Sequence, residues 1–489
     1  MQPSPLPSLE RAEADFSTLR SFLIKAAFTQ SAICRRLHLP RLSAIDAELV
    51  RERESGPLEC ASDALIRLFL EGWPVTREDM DRCLGTDITS ILSGLQLIAP
   101  HDPDSFAATV TLYPIEDLYI VSDRYNNADG SPFQGSDDMV YQCLFPTTER
   151  VITGVPRTAR GSVLDMCAGA GVGGLLCAAT ATRVLAVDIT ARSVHFVRFN
   201  ARLNGFSNVE ARQGNLYEPV RGEQFDLITA HPPYQPVYRH LQAFNSGGLD
   251  GELIAKSVLE GATAHLTPGG RLYCLCQLSD RDQPAEARIR SWLTPEEQSA
   301  IDIAFVCFQH RNLVEYSAVS TLCEHWPVDE WKDWMARLRP LRIRDMVYGI
   351  YVLQRIASPR RVFTVRREGP LAAARDIEAL VDWETEAAQP SFPAKVEQLR
   401  LRLRSSCELV VRHHVERASW QPATVTLRNS KPFEAAVQID SLTMPLLAHL
   451  DGSKPLGSLL RSASIKAPAE KVASLVTMLI SNGFAEIIA

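Results

Sequence analysis

No apolar run in the 489 residues approaches the roughly 18 that a membrane-spanning helix requires. The opening residues, MQPSPLPSLERAEADF, carry acidic side chains and no apolar centre, so no signal peptide is expected. The eleven cysteines are scattered. Their close pairs, Cys274/Cys276 and Cys167/Cys177, lack zinc-ligand spacing, and no His/Cys/Glu cluster replaces them. A metal site is therefore not expected, and reduced thiols in a cytoplasmic protein are. Positive charge is also short: 51 Lys and Arg stand against 58 Asp and Glu, a net charge of -7. The imbalance is uneven. Residues 358–489 hold 17 cations against 14 anions, and the remaining 357 residues hold 34 against 44. An acidic catalytic part repels phosphate backbones, so nucleic acid is not the expected substrate.

What is present is an ordinary globular composition, 46% hydrophobic and 22% charged, in a chain long enough for two to four domains. The punctuation places boundaries near 110 and 356. In residues 1–110, Leu19, Phe22, Leu23, Ala26, Ala27 and Ile33 recur at helical spacing, and the run from 48 to 54 reads as a solvated face. Residues 61–70 form an amphipathic helix broken by Gly72-Trp73-Pro74. Thr76, with Asp79 three residues on, caps a second helix, and residues 87–95 make a third. Three short helices followed by strands predict a winged-helix-like module. Its third helix, ITSILSGLQ, carries no Arg or Lys, which favours a docking or lid role over base reading. Residues 111–356 bridge into alternating strands and helices. Residues 141–145, from Tyr141 to Phe145, are placed to help cover a ligand, and Trp326, Trp331 and Trp334 read as packing residues. Residues 357–489 form a separate unit that ends in a second helix-turn-helix-helix pattern. Its cations Arg400, Arg402, Arg404, Arg412, His413 and His414 read chiefly as a solvated face.

The stretch from 161 to 234 organises the chain. An apolar strand, residues 162–166, contains Asp165 and ends in the loop Cys167-Ala168-Gly169-Ala170-Gly171. No Lys-Ser/Thr follows Gly171, which excludes a Walker A loop. A second strand ends at Asp188, where a carboxylate can accept hydrogen bonds from ribose hydroxyls. Gly214-Asn215-Leu216 follows a short strand, and a further apolar run ends at His231-Pro232-Pro233-Tyr234. Two prolines fix φ and remove two N–H donors, leaving nearby carbonyls available beside the flat Tyr234 ring. Helix-length spacing between apolar runs argues a mostly parallel, doubly wound α/β sheet.

With these residues in place, 161–234 resembles a class I S-adenosylmethionine-dependent methyltransferase. Within that class it is similar to the small-domain group whose fourth strand ends in Asn-Pro-Pro-Tyr, which includes release-factor glutamine methyltransferases. The similarity extends loosely over 60–356. Phe244-Asn245-Ser246-Gly247-Gly248 and Asp250-Gly251-Glu252 have counterparts in an actinobacterial-type branch that carries a similar N-terminal module. The resemblance implies a Rossmann-like core with a seven-stranded sheet, flanked by winged-helix-like N- and C-terminal domains, and S-adenosylmethionine as cofactor. It implies that Asp165, Cys167, Ala168, Gly169 and Gly171 face the methionine end. Asp188 would hold the ribose, Ile189 would pack on the adenine, and Asn215 and Leu216 would sit at its edge. His231, Pro232, Pro233 and Tyr234 would frame the reacting nitrogen.

Three positions depart from the pattern: Cys167 for the usual Gly, Asn215 for a common Asp, and His231 for Asn. A neutral His donates once and accepts once with a different reach from a carboxamide, and it can take a proton. The expected activity is N-methylation of a small molecule or a protein side chain. A regulatory protein with a degenerate core and an enzyme that uses the sulfonium without transferring methyl are the alternatives. A homodimer is left open.

Overall fold

The computed structural model describes residues 5–45, 56–129, 131, 133, 135–142, 144, 146–157, 161–236, 244–324, 327–416, 419–440 and 443–488. The charged run 48–54, Gly130, Pro132, Phe145 and Trp326 lie outside them. The chain divides into two compact units, Met1–Leu275 and Cys276–Ala489.

The first unit opens with the helix Glu13–Lys25, which buries Phe16, Leu19 and Leu23 completely at the three- and four-residue spacing seen in the sequence. After Gln30–Arg36, the helix Ala61–Ile66 continues through a wider turn, Arg67–Glu71, to a left-handed Gly72. Helices Arg77–Cys83 and Thr86–Gly94 follow, the first capped by Thr76, whose side chain accepts from the Asp79 amide. A hairpin, Ile98–Asp102 with Ser105–Ala108, joins Val75–Thr76 in a three-stranded antiparallel sheet. A second hairpin, Thr111–Ile115 with Leu118–Ser122, is buried at every position.

The core of this unit runs β1 (Ser162–Met166), α1 (Val172–Ala178), β2 (Arg183–Asp188), α2 (Ala191–Asn204), β3 (Val209–Gln213), β4 (Phe225–Ala230), α3 (Leu253–His265) and β5 (Leu266–Asp280). The spatial order β5-β4-β1-β2-β3 is parallel throughout. Strand order therefore reverses between β1 and β4, the place where doubly wound sheets open a ligand crevice. This is the α/β core that the alternation predicts. Residues 267–270, Thr-Pro-Gly-Gly, form a register shift inside β5 between Leu266 and Arg271, with Gly269 at φ +84°.

Helix α2 fixes the surroundings. Thr190 caps its start, and Gly205, left-handed, ends it. Asn200 is fully buried; its amide donates to Val121 O and Ala170 O (both 2.9 Å), and its oxygen accepts from Val121 N–H (2.8 Å). One turn on, Asn204 repeats the pair on Tyr119. The two side chains act as a substitute neighbouring strand for Leu118–Ser122. Arg202 binds the carbonyls of Leu9 and Arg11 and lies 4.1 Å from the centre of the Phe16 ring.

In the second unit, β6 (Ile301–Asn312) pairs antiparallel with β7 (Asp345–Arg355) and parallel with β8 (Thr364–Glu368). Eight such strands are described, one more than the seven expected, the addition being β8. Asp302, the second residue of β6, is buried, paired with Arg360 and bonded to the Phe363 amide. Trp334 is buried in the helix Val328–Leu338. Farther on, Arg400–Leu403 pairs with Ala485–Ile488, and Cys407–Glu416, Ser419–Asn429 and Ala435–Ile439 form a three-stranded antiparallel sheet.

Replacing Asn200 with Ala strands three buried backbone groups, and each unsatisfied group costs about 1–3 kcal/mol. Allowing for relaxation, Asn200→Ala is expected to lower stability by about 2–4 kcal/mol. A shift of the urea midpoint at unchanged slope would report it; a midpoint equal to the parent's would refute the clamp.

Candidate functional site

The carboxyl ends of β1, β2 and β4 open on one cavity of about 360 Å³, within the roughly 300–1,000 Å³ typical of small-molecule sites. Its first wall is the loop after β1. Cys167 takes φ +57° and Gly169 φ +54°, so the chain turns left-handed twice. For Cys167 that conformation is costly, which is the physical reason a Gly is common at such a place. Burial pushes the Cys167 thiol well above its ordinary range, so it stays protonated and is not a nucleophile here. Gly171 is the N-cap of α1 at φ +86° and faces Val197 instead of lining the cavity.

Asp165 sits under the loop, 4% exposed, accepting from the Gly174 amide at 2.8 Å. A Cβ at Gly173 would stand 2.6 Å from its Oδ1, so this glycine is what lets α1 pass so close. Burial raises the Asp165 pKa to about 7; the Gly174 amide opposes the rise, and the charge of Asp188 adds to it.

At the end of β2, Asp188 is held from two sides. Oδ2 accepts from Gly169 N–H at 2.9 Å and Oδ1 from Thr190 N–H at 3.0 Å. Its backbone carbonyl receives the Gly214 amide (2.9 Å), which draws the Gly214-Asn215-Leu216 turn to the same rim. Ile189 leaves 60% of its surface exposed, an apolar side chain on the cavity wall. Asn215 and Leu216 line the same wall, Leu216 at φ +51°.

The third wall follows β4. His231, Pro232, Pro233 and Tyr234 all line the cavity, with the His231 and Tyr234 rings 5.6 Å apart. His231 Nε2 is shielded from solvent and has no hydrogen-bond partner among the described residues. Burial lowers the ring's pKa to about 4, so it is neutral at pH 7. The Pro-Pro-Tyr backbone is braced by the loop that follows it. Gln235 N–H donates to Asn245 O (3.1 Å), Gly247 N–H to Gln235 O (2.9 Å), and Leu253 N–H to Gly247 O (2.9 Å). A side chain at Gly247 would strike the Tyr234 backbone.

The structure brings together twelve of the thirteen site positions expected from sequence, the deeper Asp165 among them, from the ends of four strands; only Gly171 stands behind the wall. Sequence reading did not single out Met139, Val140, Thr190, Ser193, Thr229 or Ile254, which also line it. Tyr141 stacks on Phe244 at 4.7 Å, and both face the cavity. The signal for this cover lay in Asp123. Its Oδ2 accepts from Val140 N–H (2.8 Å) and from Arg192 Nε (2.7 Å), and its carbonyl accepts from the Gln142 amide (2.6 Å).

The family pattern described as "Methyltransferase small domain" matches residues 146–306. Among curated proteins, a release factor glutamine methyltransferase of Xylella fastidiosa is 34% identical over 137 residues, covering 25% of this chain and 50% of that protein. A ribosomal protein uL3 glutamine methyltransferase of Bradyrhizobium diazoefficiens is 35% identical over 132 residues, 24% of this chain and 41% of that protein. A release factor glutamine methyltransferase of Koribacter versatilis is 32% identical over 182 residues, 33% of this chain and 64% of that protein. The chain thus spans about half the length of the curated relatives it matches first, and the family pattern includes the strand ends that line the cavity.

Proposed function

We propose that the chain is an S-adenosylmethionine-dependent methyltransferase acting on a nitrogen of a protein side chain or small molecule. The observation that carries this reading is the charge of the cavity. Asp165 and Asp188 line it, and no Lys or Arg does among the described residues. A dinucleotide pyrophosphate would meet two carboxylates with no opposing cation. A nucleoside ligand bearing positive charge meets complementary groups instead.

S-adenosylmethionine, when bound, supplies a methyl group on a cationic sulfur. Asp165, Ala168 and Gly169 would hold its methionine end, with Gly171 fixing the loop from behind. Asp188 would accept from the ribose hydroxyls, Ile189 and Leu216 would cover the adenine faces, and Asn215 would meet its edge. His231, Pro232, Pro233 and Tyr234 would orient the acceptor. With its pKa near 4, His231 is too weak a base to deprotonate an ammonium group, so it works as a hydrogen-bonding partner through Nε2. The acceptor nitrogen then arrives neutral. The glutamine named in the relatives' descriptions meets that condition, as does an imidazole. In this reading residues 1–110 and the end of 357–489 are winged-helix-like flanks of a catalytic region 111–356, and the site works in a cytoplasmic setting. The three helices and three-stranded sheet between 61 and 108 support the first of these.

Asp165 sets the pH behaviour. A carboxyl raised from 3.8 to about 7 is neutral below that pH, and a cationic ligand prefers it ionised. Affinity for S-adenosylmethionine is expected to rise with pH through about 7 and then level, with proton release on binding below that point. Calorimetry from pH 5.5 to 8.5 checks this, and a flat profile would count against it.

Without ligand, the raised pKa contributes stability that is fully present below about 3.8 and is lost as pH rises to about 7. Asp165→Asn keeps an acceptor for Gly174. It should be more stable than the parent at pH 8 by roughly 1 kcal/mol or more, with the gain vanishing towards pH 4. Urea titrations at the two pH values decide.

Asp188→Ala should weaken cofactor binding about tenfold or more, and His231→Ala should leave that binding intact while abolishing methyl transfer. Loss of cofactor binding in His231→Ala would remove its assignment to the acceptor side.

A further inference from the structure

The second unit carries a cleft of about 740 Å³ with the opposite charge to the cavity. Arg375, Arg402, Arg404 and Lys431 line it, against Asp376 and Glu486. Both carboxylates are already engaged. Glu486 Oε1 accepts from Arg402 Nε at 2.9 Å, and Asp376 Oδ2 accepts from Ala373 N–H at 3.0 Å. Arg375, Arg404 and Lys431 make no ion pair among the described residues. Arg404 Nε, moreover, is shielded from solvent and has no hydrogen-bond partner among them. A buried guanidinium donor left unmet is costly unless an acceptor reaches it.

The scaffold beneath these cations is fixed. Arg404 N–H donates to Phe484 O at 2.9 Å, and Lys431 O accepts from Ser406 Oγ at 3.1 Å. The 14-residue helix Ala374–Ala387 begins at the cleft, so its positive end adds to the field. Leu371, 63% exposed, gives one wall an apolar face beside the charges.

We propose that this cleft binds a phosphoryl-bearing ligand. Three unpaired cations around one space call for an anion of more than one charge, and a single carboxylate neutralises only one of them. Phosphoryl groups supply several charges with acceptor oxygens suited to a guanidinium fork. The apolar wall suits a nucleoside attached to them. The source is either a free nucleotide or the backbone of a single-stranded RNA. The proposal is independent of the cavity in the first unit.

The test is calorimetry on the full chain with pyrophosphate, ADP and a 12-nucleotide RNA at several salt concentrations. Asp188→Ala serves as the parent, to weaken nucleoside binding in the other cavity, and any binding left there is unchanged by exchanges in the cleft. Binding of pyrophosphate or ADP supports a free nucleotide. Binding of RNA alone, with a salt slope of about -2 for three phosphates, supports a backbone. In either case, exchanging the exposed Arg375 and Lys431 together for Gln should weaken binding about tenfold or more. Three results overturn the proposal: no binding of any probe at millimolar concentration, affinity unchanged in Arg375→Gln/Lys431→Gln, or tighter binding of a poly-glutamate peptide than of the phosphates. Far-ultraviolet circular dichroism of the double variant confirms that a loss of binding is not a loss of fold.

Discussion

The buried carboxamide of Asn200 is the contact on which the first unit turns. A backbone amide or carbonyl out of water must find a partner. The strand Leu118–Ser122 has a hairpin partner on one side only, and α2 supplies the other side through Asn200 and Asn204. The same Asn200 amide reaches Ala170 in the loop after β1. The residue that seats the N-terminal region on the core therefore also holds the loop that shapes the cavity. The next contact along is Asp123, just beyond that strand, whose pair with Arg192 of the same helix carries residues 139–142 over the site. One helix thus sets the floor, wall and cover of the cavity, and the N-terminal region belongs with the site's geometry.

Within the cavity, strain and burial concentrate where ligand contact is proposed. Cys167 holds a left-handed conformation without being glycine, Asp165 is a carboxyl out of water, and His231 has an unmet nitrogen. Each is unfavourable in an empty protein. Such features persist where the surrounding structure over-determines them, and they gather at functional sites. Here they converge from two separate strand ends, those of β1 and β4, which a packing accident at either one would not produce.

The strand ends were legible in the sequence because buried parallel strands are short apolar runs, and a change of residue type marks where each stops. Asp165, Asp188 and His231 stand at those stops. The glycine loop was legible as a turn but not in its direction, so Gly171 was read as facing ligand when it caps α1. The clamp was not legible. Asn200 and Asn204 lie four residues apart and look like a solvated helix stripe until a strand edge is set against them. The strand β8 was hidden for a related reason: Thr364–Glu368 is rich in charge and sits between proline-marked turns. Arg366 there satisfies the buried Asp280 at 2.7 Å, and Arg367 bonds Ser481 O at 2.7 Å. Charge in that segment is internal pairing, which composition alone reads as linker.

On the proposed function, the position of His231 bears on what the site accepts more than any resemblance does. A carboxamide at that place offers a donor and an acceptor together and is indifferent to pH. The imidazole has one nitrogen, Nε2, that is shielded from solvent and has no partner among the described residues, and burial keeps the ring neutral. Its unmet Nε2 is a hydrogen-bond acceptor in one tautomer and a donor in the other, so the substrate fixes the tautomer as it binds. A planar nitrogen with two N–H groups can donate one to the accepting form and the other to a neighbouring backbone carbonyl. An ammonium group would bring a charge to a neutral, shielded nitrogen and forfeit its own hydration without compensation. If His231 faces the acceptor as proposed, selection for a neutral acceptor follows from burial at this one ring, whatever larger molecule carries that acceptor.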